Sequence, residues 1–230
     1  MTIDLLMRLV HGLMLALFAG WGAYFIWVLF RFRRGRQPRA IYDGAKGRWA
    51  SMTEVGVVIA EGVLLVASAR PIWYERTAAR PADPAVVIRV VAEQFVWNVH
   101  YPGADGQFGR TALNLISVTN PIGLDRASAG GKDDLVLLGE IHVPVGKPVV
   151  IQLSSKDVIH SFGVHALRVK QDVIPGTMSA VWFTAAAPGE FEIACSQLCG
   201  VGHYRMRGLI VAESDEAYRA FLQKEAAALK

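Results

Sequence analysis

The sequence is poor in cysteine and in charge, and each shortage excludes a class of protein. Its 230 residues include only two cysteines, which excludes a small extracellular scaffold held by several disulfides. Neither cysteine lies in a Cys-x-x-Cys-His motif, so the chain attaches no haem covalently. Charged residues make up only 19% of the chain and apolar residues 53%, a balance that predicts that part of it lies in lipid.

Two apolar segments near the start account for this excess. The first, about residues 9–30, contains no charged residue and is long enough to cross a hydrocarbon core of about 30 Å as a helix. The second, about residues 52–73, is less apolar because it contains Glu54, Glu61 and Arg70. Arginines follow the first segment where a signal peptide would have small residues for cleavage. We therefore predict a two-helix transmembrane hairpin over residues 1–77.

The charged residues are unevenly distributed along the chain. Residues 31–48 hold seven Lys/Arg, including Lys46, and a single acid, Asp43. Under the positive-inside rule this loop stays in the cytoplasm, so the N-terminus and everything after the second helix lie on the periplasmic side of a bacterial-type inner membrane. Residues 85–230 carry 13 basic and 14 acidic groups, a formal charge of −1. This near-neutral exported part is not expected to bind nucleic acid.

After a proline-containing linker at residues 78–85, the chain has the character of a β-domain. Short runs rich in β-branched and aromatic residues alternate with Gly/Pro turns, as in a β-sandwich or barrel. The polar, glycine-rich region 103–132 is predicted to form loops, and Ser214 is predicted to cap a short C-terminal helix. The predicted strands lie near residues 86–91, 95–101, 140–143, 148–153, 179–183, 190–193 and 208–211.

Both cysteines belong to a segment with four potential metal ligands within twelve residues, Cys195-Ser-Gln-Leu-Cys-Gly-Val-Gly-His-Tyr-Arg-Met206. Thiolates and imidazoles select copper, zinc or iron–sulfur clusters over hard cations, and a methionine thioether is a weak axial ligand typical of copper. His160, at the end of a strand-like run 35 residues before Cys195, offers a second imidazole. These residues also leave open a disulfide or a structural zinc site.

The pattern Cys-Ser-x-x-Cys-Gly-x-x-His-x-x-Met, with Asp-Val-x-His-Ser-Phe upstream at residues 157–162, resembles the dinuclear copper (CuA) signature of cytochrome c oxidase subunit II. The resemblance extends to the two N-terminal helices, the aromatic stretch at 94–101 and the segment 170–176. It implies an all-β, cupredoxin-like Greek-key sandwich over residues 86–230, with the two cysteines bridging both coppers. The implied ligands are His160, Cys195, the backbone carbonyl of Gln197, Cys199, His203 and Met206.

The resemblance also implies a function and partners. The chain would accept electrons from cytochrome c outside the membrane and relay them to haem in subunit I, where oxygen is reduced and protons are translocated. The other oxidase subunits and the bilayer would be its further partners. The small subunit of a copper-containing nitric oxide reductase is also similar to this chain. The sequence therefore leaves open whether the partner subunit reduces oxygen or nitric oxide. A non-catalytic assembly subunit, which predicts no bound copper, is the alternative from another class.

Three features depart from the usual family pattern. Gln197 replaces a glutamate found in most members that bind magnesium, so a carboxylate ligand for magnesium is absent. Phe95 replaces the first tryptophan of the aromatic run and Trp97 is retained, and we predict that both take part in electron input. Glu54 matches an acid at the mouth of a proton channel, but the tryptophan and proline that often follow are missing. We predict proton uptake at Glu54; Glu61, two turns further on, shares its face.

Overall fold

The computed structural model describes residues 3–36, 39, 42, 47–83 and 86–229. It divides the chain into two compact units, residues 1–79 and 80–230. Parts of the predicted basic loop and linker, among them Asp43, Lys46 and Pro84, lie outside the described residues.

The first unit consists of apolar helices. Helix α1 spans Ile3–Arg31, and α2 (Arg48–Leu64) continues through one π-helical turn, Leu65–Ala69, into α3 (Arg70–Thr77). Both continuous helices are long and apolar enough to cross a membrane, and each extends beyond its predicted apolar segment. The π-helical turn precedes Pro71. Because a proline ring displaces the carbonyl four residues earlier, a widened turn is expected at this place.

The second unit is a sandwich of two five-stranded sheets. In spatial order, the first sheet contains β3 (Leu135–Leu138), β2 (Val96–Tyr101), β1 (Val86–Glu93), β5 (Pro148–Ser155) and β8 (Ser179–Thr184). The second contains β4 (Glu140–Pro144), β10 (Arg207–Glu213), β9 (Gly189–Cys195), β6 (His160–Val164) and β7 (Val169–Val173). The pairs β1–β5 and β4–β10 are parallel, and the other pairs are antiparallel. The predicted β-sandwich is confirmed.

The core lies between the two sheets. Strand β1 alternates buried and partly buried residues along its length, as expected when one face of a strand packs inward. Trp97 on β2 and Phe162 on β6 are fully buried and meet edge to face, with ring centroids 5.4 Å apart. This aromatic pair joins the two sheets directly beneath the end of the sandwich where β6 begins.

Three strands were missed by the sequence prediction, namely β3, β6 and β7. Strand β7 is polar and β6 contains serine and glycine, so neither has strong β-propensity, and pairing between the two stabilises both. The sequence predicted that His160 ends a strand-like run. In the structure it is instead the first residue of β6. A bend after β5 separates the two strands.

The long connection between β2 and β3 is irregular, as predicted, and is organised by Asp134. This fully buried carboxylate accepts hydrogen bonds from His100 Nε2 at 2.5 Å, from the backbone N–H of Gly103 at 3.0 Å and from that of Gly109 at 2.8 Å. Burial lowers the pKa of His100, although its hydrogen bond to Asp134 opposes the shift. The lowered pKa favours the neutral imidazole, whose Nε2–H is donated to Asp134.

The chain ends in helix α4 (Asp215–Ala228). Ser214 caps it by accepting a hydrogen bond from the backbone N–H of Ala217, as predicted. Phe221 of this helix stacks on His142 of β4 with ring centroids 3.6 Å apart. The helix therefore packs on the second sheet.

Candidate metal centre

One end of the second sheet brings together all the residues predicted to bind metal. Strand β9 ends at Cys195, and the segment from Cys195 to Met206 connects it to the neighbouring strand β10. Strand β6 pairs antiparallel with β9, with Phe162 opposite Cys195. Because antiparallel neighbours run in opposite directions, the start of β6 and the end of β9 meet at the same end of the sheet. His160 thus lies beside a loop 35 residues further along the chain.

The two cysteines are free thiols and lie at the middle of the group. Their Sγ atoms are 3.8 Å apart, far longer than a disulfide bond of about 2.05 Å. One histidine lies beside each sulfur: His160 Nδ1 is 3.9 Å from Cys195 Sγ, and His203 Nδ1 is 3.6 Å from Cys199 Sγ. His160, Cys195 and Cys199 are buried and place their ligand atoms within 4.8 Å of one another.

Two weaker donors complete the group. The Met206 thioether is buried, with its sulfur 3.1 Å from His160 Nδ1 and 3.7 Å from Cys199 Sγ. The backbone carbonyl of Gln197 lies 3.1 Å from Cys195 Sγ. The side chain of Gln197 is exposed, so the sequence change from glutamate leaves the inward-facing carbonyl untouched.

The donor set fits a soft metal. A metal with bonds of about 2.3 Å to sulfur can bind both thiolates at once, because twice that length exceeds their separation. Burial, and after it the hydrogen bond shared with Cys195, raises the pKa of the Cys199 thiol to about 11. A bound metal cation favours the thiolate and would therefore oppose this shift. Sulfur, imidazole and thioether donors together are typical of copper.

Asp157 fixes the orientation of His160. Its Oδ1 accepts a hydrogen bond from His160 Nε2 at 2.9 Å, which leaves the lone pair of Nδ1 facing the sulfur atoms. Burial opposes ionisation of Asp157, but hydrogen bonds from His160, Gln94 and Val158 outweigh it and keep the pKa of Asp157 below its ordinary value. The carboxylate therefore stays charged and holds the imidazole in one tautomer.

The turn between β1 and β2 covers the ligand loop from the other sheet. Gln94 donates from its side-chain Nε2 to the backbone carbonyl of Cys199 at 2.6 Å. The ring of Phe95 lies against Gly200 and Gly202, so closely that a Cβ at Gly202 would come within 2.4 Å of a ring carbon. Glycines are therefore required at these positions for packing.

The two aromatic residues predicted for electron input occupy different environments. Phe95 is partly exposed at the edge of the ligand loop, whereas Trp97 is fully buried. The Trp97 ring lies beneath the loop, with its centroid 6.1 Å from that of His160. Within the second unit, Trp97 therefore exposes no surface that another protein could contact directly, whereas Phe95 does.

The two acids singled out in the second apolar segment both lie on α2. Glu54 and Glu61 are exposed in the described chain and, seven residues apart, share one helix face. A role in proton uptake stays a prediction for both.

Two residues next to the ligands were not assigned a role from the sequence. Asp157 belongs to the histidine motif and lies three residues before His160, a spacing that could have identified it as a partner of the imidazole. Gln94 carries no such local signal, because the carbonyl it binds is 105 residues away. Only the folded chain shows this contact.

Comparison with known proteins agrees with the geometry. Residues 86–214 match the family model of the cytochrome C oxidase subunit II periplasmic domain. The chain is 34% identical over 205 residues to an alternative cytochrome c oxidase subunit 2 of Bradyrhizobium diazoefficiens, covering 88% of this chain and 72% of that protein. It is 32% identical over 213 residues to cytochrome c oxidase subunit 2 of Cereibacter sphaeroides, covering 87% and 67%.

Among solved structures, the periplasmic domain of subunit II of cytochrome oxidase (CoxB) of Bradyrhizobium japonicum is similar, with 28% identity and a TM-score of 0.48. That match covers 64% of this chain and 98% of the solved one. The family model alone spans more than half of the chain, including every ligand position described above. The chain therefore belongs to the cytochrome c oxidase subunit II family and is a subunit II of a haem–copper oxidase.

Proposed function

We propose that this chain is the electron-input subunit of its oxidase, taking electrons from a cytochrome c and passing them to haem in subunit I, where oxygen is reduced and protons are translocated. A dinuclear copper (CuA) pair held by the ligand loop would supply one-electron chemistry. The proposal is supported above all by one observation: two free cysteine sulfurs lie 3.8 Å apart with a histidine beside each.

The side chains at this site have separate tasks. Cys195 and Cys199 would hold both metals, and His160 and His203 would each hold one of them. Met206 and the Gln197 carbonyl would be the weak ligands. Strands β6, β9 and β10 hold these donors at the edge of a packed sheet, where rearrangement on a change of charge is small. Buried Trp97 and Phe162 beneath the loop exclude water from its inner side.

Copper content and electron paramagnetic resonance of the purified full chain test this proposal. We expect two coppers per chain and a multi-line hyperfine signal from one unpaired electron shared by two nuclei. Replacing Cys199 with serine should abolish this signal, whereas replacing Val201, an exposed residue of the same loop, with alanine should not. One zinc per chain, or a disulfide without metal, would refute the dinuclear site.

The surface around the ligand loop suits an apolar docking partner. Leu198, Val201 and Tyr204 of the loop are 79%, 95% and 73% exposed, and Val158 and Ile159 lie exposed just before β6. Exposed apolar side chains grouped in this way mark interaction sites. We infer that cytochrome c docks here through apolar contacts, with little electrostatic steering because the formal charge of residues 85–230 is only −1.

The membrane helices and their flanking charges support one orientation. Both apolar helices, together with bacterial relatives that are oxidase subunits, indicate an inner-membrane protein associated with other oxidase subunits. Arginines cluster directly after α1. By the positive-inside rule we place the connection between the two helices in the cytoplasm and the copper-binding unit in the periplasm. A protease added to intact spheroplasts should then cleave the second unit and spare the connection.

Two further roles are proposed, one in the turn between β1 and β2 and one on α2. Phe95, which covers the ligand loop and reaches the surface, is the electron-input residue, and buried Trp97 lies on the path inward. Glu54 on α2 is the proton-uptake group. Gln197 offers no carboxylate, so we assign no magnesium ion to this side chain.

A further inference from the structure

Gln94 makes two hydrogen bonds that together join the two ligand-bearing loops. Its side-chain Nε2 donates to the backbone carbonyl of Cys199 at 2.6 Å. Its backbone N–H donates to Asp157 Oδ2 at 2.7 Å, and the other oxygen of the same carboxylate holds His160 Nε2 at 2.9 Å. The residue that follows, Phe95, packs on the ligand loop.

These contacts form a continuous path from one ligand to another. From Cys199 the path runs through Gln94 to Asp157 and then to His160, and each step is a hydrogen bond of 2.6–2.9 Å. The cysteine loop joins β9 and β10 of the second sheet, and the histidine loop joins β5 of the first sheet to β6 of the second. Gln94 lies in the turn between β1 and β2 of the first sheet and contacts both loops.

We propose that Gln94 is a positioning residue for the copper site, which fixes the distance between the Cys199 and His160 loops without binding metal itself. The inference rests on the proposed copper function. The backbone at Gly200, directly after the carbonyl that Gln94 holds, has a φ of +137°, a conformation that only glycine adopts readily. A glycine that follows a ligand gives the chain freedom at that point, so a hydrogen bond on the adjoining carbonyl limits the movement of Cys199.

Two substitutions separate hydrogen bonding from simple space filling. Gln94→Leu keeps most of the volume and removes the donor. Gln94→Glu keeps the shape and replaces the donor with an oxygen that repels the Cys199 carbonyl. If Gln94 acts through its hydrogen bond, the order of effect is wild type, then leucine, then glutamate. If it acts only by filling space, the glutamate variant equals wild type.

The test measures copper release from the loaded full chain in detergent to a chelator present in excess. From the net contribution of one hydrogen bond, we expect release from Gln94→Leu to be about threefold to tenfold faster than from wild type. Release from Gln94→Glu should be faster still. The visible absorption of the bound copper should shift in both variants, because a displaced Cys199 changes the metal–sulfur bonds. The control is Gln223→Leu, an exposed position on α4, which should leave both properties unchanged.

The outcomes distinguish this inference from the proposal beneath it. If wild type binds no copper pair, the proposed function fails. If wild type binds the pair and Gln94→Leu releases it at the wild-type rate, only the positioning role is overturned. Equal release from wild type and Gln94→Glu overturns it as well. If the glutamate variant does not fold, Gln94→Asn replaces it: the amide is retained on a shorter side chain, and wild-type release from that variant overturns the inference.

Discussion

The buried carboxylate of Asp134 offers a quantitative test of how the long connection between β2 and β3 is held. One of its oxygens accepts from His100 Nε2 at 2.5 Å and from Gly109 N at 2.8 Å, and the other accepts from Gly103 N at 3.0 Å. Asparagine has only one acceptor oxygen, so in either amide orientation its NH₂ group faces at least one of these donors. The substitution Asp134→Asn therefore leaves a donor unpaired.

An unpaired buried donor costs about 1–3 kcal/mol, a large share of a typical domain stability of about 5–15 kcal/mol. We expect the free energy of unfolding of the second unit to fall by about this amount in Asp134→Asn. Chemical unfolding of the full chain in detergent measures the change, and amide hydrogen exchange should quicken across residues 103–134. The matched control is Asp133→Asn, because Asp133 accepts one exposed hydrogen bond, from Ala104 N. Equal losses in the two variants would refute the reasoning.

Further predictions concern pH, protons, electrons and the donor surface. Burial lowers the pKa of His100, so the contribution of this residue to stability is complete above the ordinary value of about 6.5 and is lost as the pH falls below it. His100→Gln should therefore make the free energy of unfolding depend less on pH between about pH 7.5 and 5. Glu54→Gln should slow proton uptake and turnover with unchanged copper spectra, whereas the control Glu75→Gln turns over normally. Phe95→Ala should slow electron input measured by stopped flow; unchanged kinetics would contradict its role. Leu198→Ser should raise the KM for cytochrome c at high and low salt alike, and a strong salt dependence would contradict apolar docking.

Local sequence was sufficient for some parts of this protein. The two long apolar helices follow from the length of the apolar segments, which is sufficient to cross a bilayer. Five of the six predicted metal donors, the Gln197 carbonyl included, fall in one short loop, so their proximity hardly depends on the rest of the fold. Ser214 caps its helix through a hydrogen bond to a residue only three positions further along the chain.

Other parts were decided by tertiary structure alone. His160 joins the cysteine loop because β6 pairs with β9, and the weak β-propensity of β6 hid that strand from the sequence prediction. The hydrogen bonds of Gln94 span 63 and 105 residues, and only the packing of one sheet on the other makes them. The physical reason is the same in both cases. The types of ligand are chosen by neighbouring residues, whereas the distances between them are set by strand pairing and sheet packing across the whole domain.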